Sequence, residues 1–206
     1  MNDITVVIPS IPPRRELLER ALASVLNQYV LPAAIKVEVD HDKLGAAATR
    51  NRALEGVQTE WLAWLDDDDE FLPNHLETLL GAAQETGADL VYSYGDFIGR
   101  GDPLAVSVNG VYVCPLGVPF GPEQEDHLRT KGNFIPVTYL VKTELVKQVG
   151  GMPEPNSFPA VASQDCEDYG LLLRLLDAGA KFHHAPAVTW RYYFHPSNTG
   201  GRPEWK

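Results

Sequence analysis

Cysteine, basic residues and long apolar runs are all scarce in this chain, and each shortage closes off a class of protein. Two cysteines, Cys114 and Cys166, cannot build a disulfide framework, and no CxxC pair or Cys/His zinc spacing occurs. A reducing, cytoplasmic setting is the expectation. Seventeen Lys and Arg stand against 28 Asp and Glu, a formal net charge of −11. A broad contact with nucleic-acid phosphates needs a basic face, so a nucleic-acid partner is disfavoured. No apolar run approaches the roughly 18 residues that cross a bilayer. The opening MNDITVVIPS has an acid at position 3 and a short apolar run, unlike a signal peptide. A soluble or at most peripheral protein is expected. Its 206 residues, 44% of them hydrophobic, suit one domain with a full-sized core.

The most informative stretch that is present is Trp61 to Pro73, WLAWLDDDDEFLP. Its apolar start predicts a buried strand, the aspartates a turn at the strand's carboxyl end, and Pro73 with NHLETLLGAAQ an amphipathic helix opened by proline. Open α/β sheets bind ligands at that end of their strands. Four consecutive carboxylates repel one another unless positive charge sits among them, and a hard divalent cation is one answer. A solvated loop, or acids favoured by a helix N-terminus, is the other.

Around this stretch, strands and helices alternate. Ile4 to Ile8 reads as a buried first strand, Ile11-Pro12-Pro13 as a stiff loop, and Arg14 to Gln28 as a helix with Leu17, Leu18, Ala21, Leu22, Val25 and Leu26 on one face. Ile35 to Asp40 is a second strand. Asp40 at its end either faces a nucleoside or starts a turn. Gly45 opens a helix carrying Arg50 and Arg52, which either hold a diphosphate or are solvated. Leu90 to Tyr94 is a fourth strand, so the first half predicts an α/β fold with a mainly parallel sheet flanked by helices.

After Gly95 the pattern changes. Asn109-Gly110 within Val106 to Val113 signals an antiparallel hairpin. Residues 115 to 134 read as a long binding loop or lid. Thr138 to Lys142 is a strand, and Thr143 to Val149 a short helix stopped by Gly150-Gly151. Glu167, Asp168 and Tyr169 lead into the apolar helix GLLLRLLDAGA, whose leucines hold its acidic end against the protein body. Lys181 to Ala185 and Val188 to Tyr193 read as two final strands, with His183 and His184 on opposite faces and without a role. Trp190, Tyr192 and Tyr193 read as core and rim, and Cys166 as structural.

Five segments, VVIPSIPPR, GAAATRN, WLAWLDDDDEFLP, Gly150-Gly151 and Glu167-Asp168-Tyr169, together resemble the family 2 glycosyltransferases of the GT-A fold, and they span nearly the whole chain. The resemblance implies a single domain over residues 1–206, with a nucleotide-sugar half at 1–95 and an acceptor half at 96–206. It implies inverting transfer of a sugar from a nucleoside diphosphate, UDP foremost, to the hydroxyl of a glycan, small molecule or protein. Pro9, Ser10 and Arg14 would cup the nucleobase and ribose, and Asp40 would hydrogen-bond the base. Arg50 would approach the base or diphosphate. Asp66 or Asp67 would touch the ribose. Asp68 and His195 would bind Mn²⁺ or Mg²⁺. Asp168 would be the catalytic base, with Glu167 positioning the acceptor. The chain departs from the family where the first loop lacks the usual aromatic and where the link from Asp40 to Gly45 is short.

Two rival readings come with their own signatures. A sugar-1-phosphate nucleotidyltransferase would carry a Gly-rich basic first loop, and Ser10 to Arg15 has no glycine. A non-catalytic nucleotide- or carbohydrate-binding relative would bind without turnover.

Overall fold

Residues 3–98, 106–108, 111–113, 119–154 and 166–194 are described in the computed structural model. The apolar, β-branched run Ile4–Ser10 forms β1, buried along its whole length. A short 3-10 turn, Pro12–Arg14, leads into helix α1, Arg15–Leu26. There follow β2 (Ala34–Val39), α2 (Ala46–Glu55), β3 (Trp61–Trp64), β4 (Glu70–Phe71), α3 (His75–Thr86) and β5 (Leu90–Ile98). The second half adds β6 (Val106–Val108), β7 (Val111–Val113), α4 (Pro122–Thr130), β8 (Leu140–Lys142), α5 (Thr143–Gln148), α6 (Glu167–Asp177) and β9 (Phe182–Tyr193).

One seven-stranded sheet, in the order β2-β1-β3-β8-β5-β9-β4, joins the two halves. β1 runs parallel to β2 and β3, and β5 runs parallel to β9. Between these parallel groups lies β8, antiparallel to both β3 and β5. Each face of the sheet carries its own core. On one, α1 and α3 pack through Ala21, Val25, Leu76 and Leu79 against Ile4, Val6, Ile8 and Leu65. On the other, α2, α4, α5 and α6 pack through Leu54, Leu128, Val146, Leu171 and Leu175 against Val7, Leu62, Trp64 and Tyr92. The two sets alternate along β1, as a pleated strand buried on both faces requires.

Four local expectations change. The residues after the acidic turn do not enter a helix directly: Glu70 and Phe71 pair with Arg191 and Trp190 as an edge strand, and α3 starts at His75. The expected lid contains α4, which has Pro122 in its first turn and a Glu125–Arg129 pair one turn apart. The two final strands are one, whose register against β5 shifts between Ser93 and Gly95, where Pro186 interrupts the β9 ladder. Leu26, expected on the buried face of α1, is exposed at its last turn. The hairpin of β6 and β7 forms as expected, with its Asn109-Gly110 turn outside the described residues.

The double-glycine turn after α5 docks onto α2. Asn51 donates from Nδ2 to the Met152 carbonyl at 2.8 Å, and its Oδ1 accepts the Met152 N–H at 2.9 Å. Gly151 has φ +72°, and a Cβ there would lie 2.4 Å from Asn51 Oδ1. Gly87, the cap of α3, has a similar φ of +67° with open space around it. Gly87→Ala therefore carries only the left-handed backbone cost, about 1 kcal/mol, whereas Gly151→Ala adds the collision and should lose about 2 kcal/mol or more. Urea denaturation of the two variants separates these values, and equal losses would contradict the docking of this turn on Asn51.

Candidate active site

The site forms where three sheet-end features converge. The end of β1 supplies Ser10 and the turn bearing Arg14. The turn after β3 supplies Asp66 to Asp69. The helices α2 and α6 converge from the other side, bringing Arg50 and the pair Glu167 and Asp168.

Asp67, Asp68 and Asp69 are buried, and Asp66 is half-buried. Buried carboxylates must be paired or neutralised. Arg50, itself buried, donates from Nη2 to Asp66 Oδ1 and from Nη1 to Glu167 Oε1, the latter at 2.5 Å. Burial works against its charge, but Asp66, Glu167 and Asp168 more than compensate and its pKa is raised. Arg14 Nη1 lies 2.8 Å from Asp67 Oδ1 and 3.0 Å from Asp68 Oδ2. Ser10 Oγ donates to the second oxygen of Asp67 at 2.6 Å. Arg20 donates to the Asp68 carbonyl at 2.6 Å. Among the described residues, no cation is paired with the Asp69 carboxylate. Burial, then the charges of Asp66 and Asp68, push its carboxyl well above the usual range, and the Tyr193 N–H reaches its Oδ1 at 3.4 Å.

Three of these carboxylates, Asp66, Asp68 and Asp69, offer oxygens that all lie within 4.8 Å of one another. An all-carboxylate donor set of that size suits a hard cation such as Mg²⁺ or Mn²⁺. His195, expected as a further ligand, lies outside the described residues. Asp69 was not singled out from the sequence, although its place in the aspartate run was the available signal.

Asp168 sits in the first turn of α6 and is half-buried. Its Oδ1 accepts the Tyr169 N–H at 2.8 Å, and Asn133 Nδ2 approaches Oδ2 at 3.5 Å. Desolvation, then repulsion from Glu167, raises its pKa, against the opposing pull of the Cys166 thiol and Arg50. The Tyr139 hydroxyl is fully buried with no hydrogen-bond partner among the described residues, and burial and then Asp168 push its pKa up. Neither Asn133 nor Tyr139 carried a sequence signal, because both join the site through tertiary packing.

Pro9 lies within β1, paired with Glu38 of β2, and Ser10 follows it. Asp40 is buried at the end of β2, with its oxygens accepting the Leu44 and Gly45 N–H groups at 3.0 and 2.8 Å. Although burial opposes its charge, those donors and Arg52 hold its pKa below the usual carboxylate range. Asp40 thus fixes the short link into α2. Arg52 points away from the acidic turn, toward Glu38 and Asp42. His183 is half-buried, and His184 is buried on the other face between Tyr92 and Tyr94.

Removing Arg50 would leave Asp66 and Glu167 without their shared cation. Arg50→Gln should lower stability by about 3 kcal/mol, and Arg50→Lys should restore little because one ammonium cannot span both carboxylates. Urea denaturation measures this, and a loss below about 1 kcal/mol would contradict the bridging role.

Comparisons with known proteins agree with this architecture. The sequence profile described as Glycosyl transferase family 2 matches residues 31–108. WcaA of Escherichia coli K12, named as a glycosyl transferase of colanic acid biosynthesis, is 32% identical over 79 residues, 38% of this chain and 25% of that protein. The Staphylococcus aureus TarS 1–349 structure in complex with UDP-GlcNAc superposes over 96% of this chain and 60% of its own, with a TM-score of 0.68 and 15% identity. A longer TarS structure gives a TM-score of 0.64, again at 15% identity, over 96% of this chain and 37% of its own. The chain thus spans a quarter of that curated relative and about three-fifths of the shorter TarS structure. Residues 31–108 thus resemble glycosyl transferase family 2, and the fold is the GT-A-like one of the TarS structures.

Proposed function

We propose that this chain transfers a sugar from a nucleoside diphosphate sugar to an acceptor hydroxyl, with inversion at the anomeric carbon, and that the nucleotide is UDP. The observation that carries the reading is the Arg50 bridge. It ties Asp66 in the acidic turn to Glu167, the neighbour of Asp168, so a donor site and a base share one cation. The UDP assignment takes its support from the UDP-GlcNAc complex of the structural relative TarS.

In this reading Ser10, Arg14 and Asp66 border the nucleotide. Asp66, Asp68 and Asp69 would hold Mn²⁺ or Mg²⁺, which when bound supplies positive charge against the departing diphosphate. Asp168 accepts the proton of the acceptor hydroxyl as its oxygen attacks the anomeric carbon. The bond from that carbon to the diphosphate oxygen breaks, and the diphosphate leaves with the electron pair. A raised pKa suits Asp168 to this work, because a carboxylate of higher basicity takes an alcohol proton more readily. Glu167 raises that basicity by repulsion and, through Arg50, holds α6 against the acidic turn.

Release of UDP from UDP-hexoses and UDP-N-acetylhexosamines, with water as a slow acceptor, tests the reading without knowledge of the natural acceptor. Asp168→Asn should reduce release at least a hundredfold, the scale of a lost general base, while binding of UDP persists. Retained release with lost binding would overturn the assignment. The acid limb of the rate profile should lie above the ordinary carboxylate range, because the base works only when deprotonated and its pKa is raised. Glu167→Gln removes the repelling charge and should move that limb to lower pH. Arg50→Gln removes an attracting charge and should move it to higher pH. Shifts in the opposite directions would show that another group titrates.

A further inference from the structure

We infer that Arg14 competes with a divalent cation for Asp68, and that the cation binds once the guanidinium gives up that carboxylate. The inference rests on the metal-dependent transferase reading. One guanidinium nitrogen, Nη1, bridges Asp67 Oδ1 at 2.8 Å and Asp68 Oδ2 at 3.0 Å. Asp68 also belongs to the trio with Asp66 and Asp69 that suits a hard cation. The guanidinium and the cation therefore draw on the same carboxylate, and each repels the other at that distance.

The two contacts of Arg14 differ in what surrounds them. Asp67 is fixed by Ser10 at 2.6 Å and stands outside the trio. Asp68 is inside it. A cation can thus take Asp68 while Arg14 keeps Asp67, so Asp67 acts as a holding arm. The exchange asks only for rotation of the Arg14 side chain, which projects from a 3-10 turn, Pro12–Arg14, that buries no residue. This assigns a purpose to the second aspartate of the run, whose carboxylate oxygens are engaged by Ser10 and Arg14. Arg20 provides the contrast: it is also close, but its bond is to the Asp68 carbonyl rather than to the carboxylate.

Calorimetric titration with Mn²⁺ alone, without nucleotide, tests the exchange. Arg14→Gln should tighten Mn²⁺ binding about tenfold, the equilibrium equivalent of one charge-assisted hydrogen bond removed from the competition. Arg20→Gln removes a nearby positive charge without freeing the carboxylate and should change it less. Asp67→Ser should weaken Mn²⁺ binding in the wild-type background, where Arg14 falls back on Asp68, and much less in the Arg14→Gln background. Equal tightening in Arg14→Gln and Arg20→Gln would reduce Arg14 to a general field effect and overturn the exchange. So would an Asp67→Ser effect of the same size in both backgrounds, which keeps the inference testable should one single variant fold poorly. Unchanged Mn²⁺ binding in Arg14→Gln would overturn the exchange and leave the metal-dependent reading standing. Absence of Mn²⁺ binding in every variant, with UDP still bound, would overturn the exchange and the metal requirement but leave the donor site.

Discussion

Carboxylate repulsion at the end of β3 is the constraint on which the rest of this structure depends. Four aspartates stand in sequence, and three of them are buried. The protein meets the problem with guanidinium groups and one raised pKa. Arg50 takes Asp66, Arg14 takes Asp67 and Asp68, and Asp69 is pushed toward its neutral form. Arg50 needs a second anion because it is buried, and Glu167 supplies it. The same ion pairs that make the acidic turn tolerable therefore fix the approach of α6, and with it Asp168.

The fold serves this arrangement by bringing distant sequence together at one edge. Arg50 and Glu167 are 117 positions apart, and Ser10 and Asp67 are 57 apart. β8 makes the first join, since it links the sheet of the first half to β5 through antiparallel pairing on both sides. The turn of Gly150 and Gly151 makes the second, by hydrogen-bonding Met152 to Asn51, the residue next to Arg50. Helix α2 is thereby held at two neighbouring residues, Asn51 by the docked turn and Arg50 by the carboxylates.

Much of this was legible in the residues. The apolar runs of β1 and β3, the helix after Gly45 and the acidic end of α6 each follow from local pattern, and the five motif segments placed the fold. The acidic turn was legible as a place needing positive charge, but not which charge would come. A divalent cation and an arginine answer the same repulsion, and only the folded chain shows that Arg14 lies on Asp67 and Asp68. α4 was hidden by its proline and charge, which resemble a loop until Glu125 and Arg129 are seen one helical turn apart. β4 was hidden because two residues carry no periodicity, and its pairing with β9 is set by a strand about 120 positions away. Asn133 and Tyr139 approach Asp168 through tertiary contact alone.

The central claim is that the acidic turn and its arginines form a nucleoside diphosphate site. Its most direct test is calorimetric binding of UDP, GDP, dTDP and CDP, each with and without Mn²⁺. The account predicts that UDP binds in preference to the others, that Mn²⁺ strengthens it, and that Asp68→Ala removes the metal-dependent part. Failure of every diphosphate to bind under either condition would contradict it, leaving the acidic turn as a structural knot of carboxylates and guanidinium groups.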